Sequence, residues 1–172
     1  FGTSASYCAQ YKMEESKYML GKPIDKFYAY AMTKRMLQIG VESISRQFGL
    51  QYLTVVPSTL YGPSYHTDGR QMHFIFDLIR KILRGKKLDE KVVLWGDGYQ
   101  FREIVHVQDF VENLSQLIEL GKQDIYNLGS GIEYTIREYA EMICNLVGFE
   151  SSKIEYDQSK RSEEHTSELQ SH

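Results

Sequence analysis

The stretch Phe27-Tyr28-Ala29-Tyr30-Ala31-Met32-Thr33-Lys34 places a tyrosine four residues before a lysine at the start of a long helical pattern. Beyond it, the apolar residues Leu37, Val41, Ile44 and Phe48 recur every three or four positions, and Gly49 supplies a stop. The next segment, Gln51 to Leu60, is dense in β-branched and apolar residues, with Pro57 near its C-terminal end. That is the composition of a strand buried on both faces. A helix running straight into a buried strand is the rhythm of an α/β fold.

Outward from there the alternation continues. Tyr61 to Arg70 is a Gly- and Pro-containing loop, and Gln71 to Arg84 regains helical periodicity through Ile75, Leu78, Ile79 and Ile82. Lys91 to Trp95 reads as a short strand turned by Gly96-Asp97-Gly98, and Phe101 to Val107 as another. Asp109 stands where an N-cap precedes a helix from Phe110 to Leu120. Asp124 to Leu128 is a further strand, ended by Gly129-Ser130-Gly131. Thr135 and Glu138 have the capping-box form that opens a helix, with Ile136, Tyr139, Ala140, Ile143 and Val147 on one face and Gly148 as its stop.

The chain of 172 residues carries 20 Lys and Arg against 23 Asp and Glu, a formal net charge of −3. Its last twelve residues, Arg161 to His172, read as a translated sequencing adapter and are expected to be disordered. They hold one Arg and three Glu, so the remainder is close to neutral, and no electrostatic case for nucleic acid survives. No apolar run approaches the roughly 20 residues that cross a bilayer, so no membrane partner is expected. Cys8 and Cys144 are far apart and lack metal-ligand spacing. They point to no disulfide framework and no metal, and to a reduced, cytoplasmic setting. The opening Phe1-Gly2-Thr3-Ser4-Ala5-Ser6 reads as the end of a buried strand entering a loop, so the sequence is expected to be an internal piece of a longer protein.

Tyr30 and Lys34, one helical turn apart, share a face. An ammonium held beside a phenol favours the phenolate, which suits the phenol to exchange protons with a substrate at neutral pH. Spacing alone does not decide the matter, because the chain has 13 Tyr and the same interval recurs at Tyr18/Lys22 and Tyr156/Lys160. Gly21 and Pro23 disfavour a helix at the first of these, and the second lies in a polar segment without a long apolar stripe.

Several further runs accompany the Tyr30/Lys34 pair in order: Gly2-Thr3-Ser4-Ala5-Ser6-Tyr7, Pro57-Ser58-Thr59-Leu60-Tyr61-Gly62-Pro63, Trp95-Gly96-Asp97-Gly98, Arg102 to Asp109, and Tyr126 to Gly131. Together, over residues 1–160, they resemble the extended short-chain dehydrogenases/reductases of the NAD-dependent epimerase/dehydratase family, and within it the GDP-L-fucose synthase pattern. The resemblance implies a Rossmann-type, doubly wound parallel sheet with a smaller α/β substrate domain, NAD or NADP as cofactor, a nucleotide-sugar substrate, and a homodimer when the protein is full length. Residues 1–63 would be the C-terminal part of the cofactor domain, interleaved with later segments, and 64–160 mostly the substrate domain. The Gly-rich phosphate loop of such a fold belongs upstream of Phe1.

Carried over by motif, Tyr30 is the acid/base, Lys34 binds the nicotinamide ribose, and the Thr3 hydroxyl polarises the sugar oxygen that becomes a carbonyl. Gly2, Thr3, Ser4, Pro57, Ser58, Thr59, Leu60 and His73 fall at cofactor positions. His73 also matches a proton donor of the synthase pattern. Lys81, Trp95 and Arg102 fall at substrate positions, Arg102 as a planar fork for the diphosphate. Each residue has a plainer reading. Thr3 can satisfy a turn, His73 can be packed between Met72 and Phe74, Lys81 can be a solvated helix residue, and Trp95 can be a core aromatic.

Ala5 discriminates among chemistries. Dehydratases and decarboxylases of the superfamily carry an acidic residue at that place, and the synthase pattern carries a cysteine used in epimerising carbons beside the ketone. Alanine does neither. Hydride transfer at a single carbon needs only cofactor, Tyr30, Lys34 and Thr3, which fits a 4-epimerase or 4-ketoreductase. A non-catalytic NAD(P)-binding scaffold and a reductase of a small carbonyl remain as alternatives on the same fold.

Overall fold

The computed structural model describes residues 1–66 and 72–160. The expected tail 161–172 and part of the loop after Tyr61 lie outside the described residues. Along the chain come α1 (Tyr28–Phe48), β1 (Leu53–Pro57), β2 (Thr59–Tyr61), α2 (Phe74–Leu88), β3 (Val92–Trp95), β4 (Phe101–His106) and α3 (Val107–Glu119). β5 (Asp124–Leu128), β6 (Glu133–Thr135), α4 (Ile136–Val147) and β7 (Ile154–Asp157) follow. The described residues form two compact units, one from Phe1–Gly62 with Glu103–Gly131, the other from 63–102 with 132–160. The first unit thus closes on a segment that returns forty residues after it seemed complete.

In the first unit β1 runs parallel to β5, with Leu53 opposite Asp124 and Pro57 opposite Leu128. At Ser58 the chain changes partner, and β2 runs parallel to β4, pairing Thr59 with Ile104 and Tyr61 with His106. Both faces of β1 are covered, which is why its sequence is dense in apolar and β-branched residues. Val55 packs with Val105, Phe110 and Leu128, backed by Leu114 and Leu117 of α3. Val56, pointing oppositely, packs with Tyr7 and Tyr18 of the N-terminal segment. Each fully buried side chain of this size contributes about 1.5–3 kcal/mol.

Helix α1 ends as its sequence directs, with Gly49 in the left-handed region (φ 64°) and its N–H on the Ser45 carbonyl. Its inward face is a surprise. The buried residues are Ala31, Arg35 and Gln38, whereas Leu37, Val41, Ile44 and Phe48, the stripe that announced the helix, are exposed. Gln38 is drawn inward by a 2.6 Å hydrogen bond from the Thr54 hydroxyl on β1. Polar contacts, not the apolar stripe, seat this helix on the described unit.

The second unit has β3 parallel to β7, with Val92 opposite Ile154 and Trp95 opposite Asp157. Ile75, Leu78 and Ile82 of α2 are buried, as are Tyr139, Ala140, Ile143 and Cys144 of α4, and Phe74 meets Tyr139 at 5.7 Å between ring centroids. The capping box of Thr135 and Glu138 is formed, and hydrogen bonds from the Thr135 backbone and hydroxyl hold the Glu138 carboxyl below its usual range. Two helix starts differ from their sequence reading. α2 begins at Phe74 and continues through Gly85 to Leu88, and α3 begins at Val107. The N-cap of α3 is His106, whose Nδ1 accepts from the Gln108 N–H at 3.3 Å, and Asp109 sits in the first turn. A carboxylate there still favours the helix dipole.

Candidate active site

In the first unit, Thr3 N-caps the short 3-10 turn Ser4–Ser6, its hydroxyl accepting from the Ala5 N–H at 3.4 Å while its own N–H donates to the Tyr18 hydroxyl at 3.3 Å. Gly2 donates to the Val55 carbonyl at 2.8 Å, laying this segment along β1. A Cβ on Gly2 would sit 2.8 Å from both the Tyr18 hydroxyl and a Val56 methyl, so only glycine allows so close an approach.

The first turn of α1 brings the Tyr/Lys pair to the same loop. Lys34 Nζ lies 5.9 Å from the centre of the Tyr30 ring and donates to the Phe1 carbonyl at 3.1 Å. The Ser6 hydroxyl donates to the Ala31 carbonyl at 3.3 Å. Tyr30 is 51% exposed, so its hydroxyl is accessible to a substrate. Thr3, Tyr30 and Lys34 are thereby held on one loop-helix junction. Ala5, 7% exposed, offers no titratable group beside them.

Pro57 closes β1, and Ser58 N–H donates to the Leu128 carbonyl at 3.1 Å. Thr59 and Leu60 open β2. Pro57 and Ser58 thus lie at the carboxyl end of parallel strand β1, where open α/β sheets bind ligands, with Thr59 and Leu60 directly following. Among the described residues the Ser58 hydroxyl oxygen is buried without a hydrogen-bond partner. A buried hydroxyl without a partner has room for one more hydrogen bond, from water or from a bound molecule.

The N-terminal loop has a second anchor. The Tyr7 hydroxyl donates to Asn127 Oδ1 on β5 at 2.7 Å, Asn127 Nδ2 donates to the Met13 carbonyl at 2.6 Å, and the Asn127 N–H donates to Glu15 at 2.9 Å. Burial pushes the Tyr7 phenol far above its ordinary range, outweighing the hydrogen bond to Asn127, so it remains a donor.

The second unit holds the remaining candidates. Lys81 pairs with Asp77 at 2.8 Å and lies 5.6 Å from the centre of the Trp95 ring, and Lys160 lies 5.7 Å from the same ring. Burial raises the Asp77 carboxyl, but hydrogen bonds and charge from Lys81 and Arg80 outweigh it and hold it below its usual range. Trp95 is 47% exposed and is not a core aromatic. Arg102 is buried, with Nη1 donating to the Phe101 carbonyl at 2.8 Å, and its own carbonyl accepts from the Tyr139 hydroxyl at 3.0 Å. His73 is exposed at the N-cap of α2, not packed within a helix; its N–H donates to the Tyr65 hydroxyl at 2.9 Å. Sequence reasoning did not single out Arg35, and it gave Asn127 and Lys160 no role of their own although both fall in stretches it quoted. No short-range spacing signals Arg35 or Asn127, because they act on residues distant in the chain.

Cys8 and Cys144 are free, buried thiols. Among the described residues there is no cluster suited to a metal ion, and no helix is long and apolar enough to cross a membrane.

Parallel strands covered on both faces and alternating with helices define a Rossmann-type α/β protein. Residues 1–129 match the NAD dependent epimerase/dehydratase family, and the chain belongs to that family. It is 31% identical over 174 residues to the GDP-L-fucose synthase of Escherichia coli K12, covering 92% of this chain and 53% of the relative. It is 33% identical over 138 residues to a putative GDP-L-fucose synthase 2 of Oryza sativa subsp. japonica, covering 79% and 40%. The chain thus spans about half the length of the curated relatives it matches. Solved structures share the fold. A GDP-mannoheptose C4 reductase from Campylobacter jejuni with NADP bound superposes with a TM-score of 0.78 at 24% identity, covering 92% of this chain and 55% of that one. A GDP-L-fucose synthetase from Naegleria fowleri bound to NADP gives 0.81 at 19% identity, covering 99% and 56%.

Proposed function

We propose that the full protein is an NAD(P)-dependent nucleotide-sugar epimerase or 4-ketoreductase, resembling GDP-L-fucose synthase, that moves one hydride at one sugar carbon. The observation that carries this reading is the junction of α1 with the Thr3 loop, where Lys34 lies over Tyr30 and bonds the Phe1 carbonyl. The nicotinamide, when bound, supplies or accepts the hydride. Tyr30 gives or takes the proton on the sugar oxygen, with the Lys34 ammonium held beside its ring. Thr3 donates a hydrogen bond to that same oxygen and stabilises the charge that develops there.

Gly2, Thr3, Ser4, Pro57, Ser58, Thr59 and Leu60 hold the cofactor, with the unpartnered Ser58 hydroxyl as its polar contact. The second unit binds the nucleotide sugar, Arg102 and Lys81 meeting phosphate, Trp95 offering a ring face, and His73 lying at the substrate's edge. The cofactor is NAD or NADP: the structural neighbours named above were solved with NADP, and other structures of the same fold with NAD. Ala5 restricts the chemistry to a single carbon, since neither dehydration nor epimerisation beside a ketone has its acid there. The exposed Met36, Ile39 and Ile44 on α1 form the homodimer face of the full-length protein, and its free thiols suit a cytoplasmic setting.

The test is to add a GDP-4-keto-6-deoxy sugar and NADPH to the full-length protein, following nicotinamide absorbance and the sugar together. Consumption of NADPH with a reduced sugar, or 4-epimerisation of a nucleotide sugar with bound cofactor, supports the reading. Absence of both across a panel of nucleotide sugars overturns it.

A further inference from the structure

Arg35 directly follows Lys34 but points the other way, into the unit, where it is 6% exposed. Its guanidinium donates four hydrogen bonds, all to main-chain carbonyls. Nε and Nη2 reach Ser6 at 3.1 and 2.6 Å, Nη2 also reaches Leu20 at 2.7 Å, and Nη1 reaches Gly21 at 2.7 Å. Among the described residues it has no carboxylate partner, and burial pulls the guanidinium below its ordinary value. A buried cation without an anion is costly unless dipoles replace water around it, and here three carbonyls do so.

The positions of those carbonyls give the residue its meaning. Ser6 ends the 3-10 turn that Thr3 caps, and Leu20 and Gly21 lie in the turn that follows the short 3-10 segment Glu15–Lys17 of the same N-terminal region, with Gly21 in the left-handed conformation. One planar fork therefore ties the loop bearing Thr3 to the helix bearing Tyr30 and Lys34. An ammonium is a point donor and cannot reproduce that fork. We propose that Arg35 is a positioning residue that sets the Thr3 hydroxyl in register with the Tyr30/Lys34 pair. The proposal rests on the reading of Thr3 and Tyr30 as the reacting groups.

The experiment uses the full-length protein with NADPH and a GDP-4-keto-6-deoxy sugar, with rates expressed per mole of NADPH-binding protein. Arg35→Lys is expected to lower kcat by about 100-fold, the loss typical of a 1 Å misplacement, with KM for the sugar and Kd for NADPH unchanged. In a Thr3→Ala background the same substitution is expected to cost nothing more, because the register it protects is already useless. The proposal is overturned if Arg35→Lys costs as much with Thr3→Ala as without it, if kcat is unaffected, or if KM and Kd move with kcat. Arg35→Gln repeats the cycle should the lysine variant not fold, and failure of both to give NADPH-binding protein makes Arg35 a folding residue and overturns the proposal as well. Wild-type turnover by Thr3→Ala and Tyr30→Phe would instead sink the underlying reading. Loss of turnover in those two, with additive behaviour of Arg35→Lys, would sink the positioning role alone.

Discussion

Tyr7→Phe removes one buried oxygen and leaves everything else in place. The ring is fully buried and packs edge-on against Tyr18 at 5.3 Å, contacts that phenylalanine keeps, so the change is confined to the hydroxyl and its 2.7 Å hydrogen bond to Asn127. Losing a hydrogen bond costs about 1 kcal/mol, rising to about 3 kcal/mol when the abandoned partner is sealed from water. Asn127 is exposed, so water takes the vacated place and the expected cost stays near the lower figure. A second signature is the pH dependence. The unfolded phenol loses its proton near pH 10.0, whereas burial keeps the folded one protonated to higher pH. The folded state then binds more protons, and stability falls as pH rises through that window, by about 1.4 kcal/mol per pH unit for one group. Urea unfolding of the full-length protein and of Tyr7→Phe, at neutral pH and above pH 10, measures both effects. The variant is expected to be slightly less stable at neutral pH and to lose less on going alkaline. A cost well above 3 kcal/mol, or an identical alkaline slope, would refute the reasoning.

Tyr30→Phe is expected to lower kcat by about 10²–10⁴-fold, the usual worth of a positioned acid/base, while NADPH binding by fluorescence titration stays unchanged. Arg102→Ala is expected to raise the KM for a nucleotide sugar and weaken GDP binding in calorimetry with little change in NADPH affinity; unaltered GDP binding favours a small carbonyl substrate instead. Ile39→Glu, on the exposed face of α1, is expected to turn the full-length protein from dimer to monomer in sedimentation velocity.

Local chemistry made much of the fold legible. Gly49, the Thr135/Glu138 box and the β-branched run around Val55 carry their structural meaning within a few residues, and β5 spans Asp124–Leu128 as its composition implies. The inward face of α1 was not legible, because apolar residues surround that helix and the buried ones include Arg35 and Gln38, which are drawn inward by Gly21 and Thr54, fourteen and sixteen residues away. The true cap of α3 was hidden for a related reason, since His106 is an uncommon cap and Asp109 a common one. In the candidate site, Thr3, Tyr30 and Lys34 were readable as a motif, whereas Asn127 acts on Tyr7 across 120 residues and only folding reveals it.

The most direct measurement gives the full-length protein a GDP-4-keto-6-deoxy sugar with NADPH deuterated at the transferable position, and locates deuterium in the product by nuclear magnetic resonance. The account predicts one deuteron at one sugar carbon, C4, and a signal that fades with Tyr30→Phe. Deuterium at another carbon, or an unlabelled sugar after turnover, would contradict it.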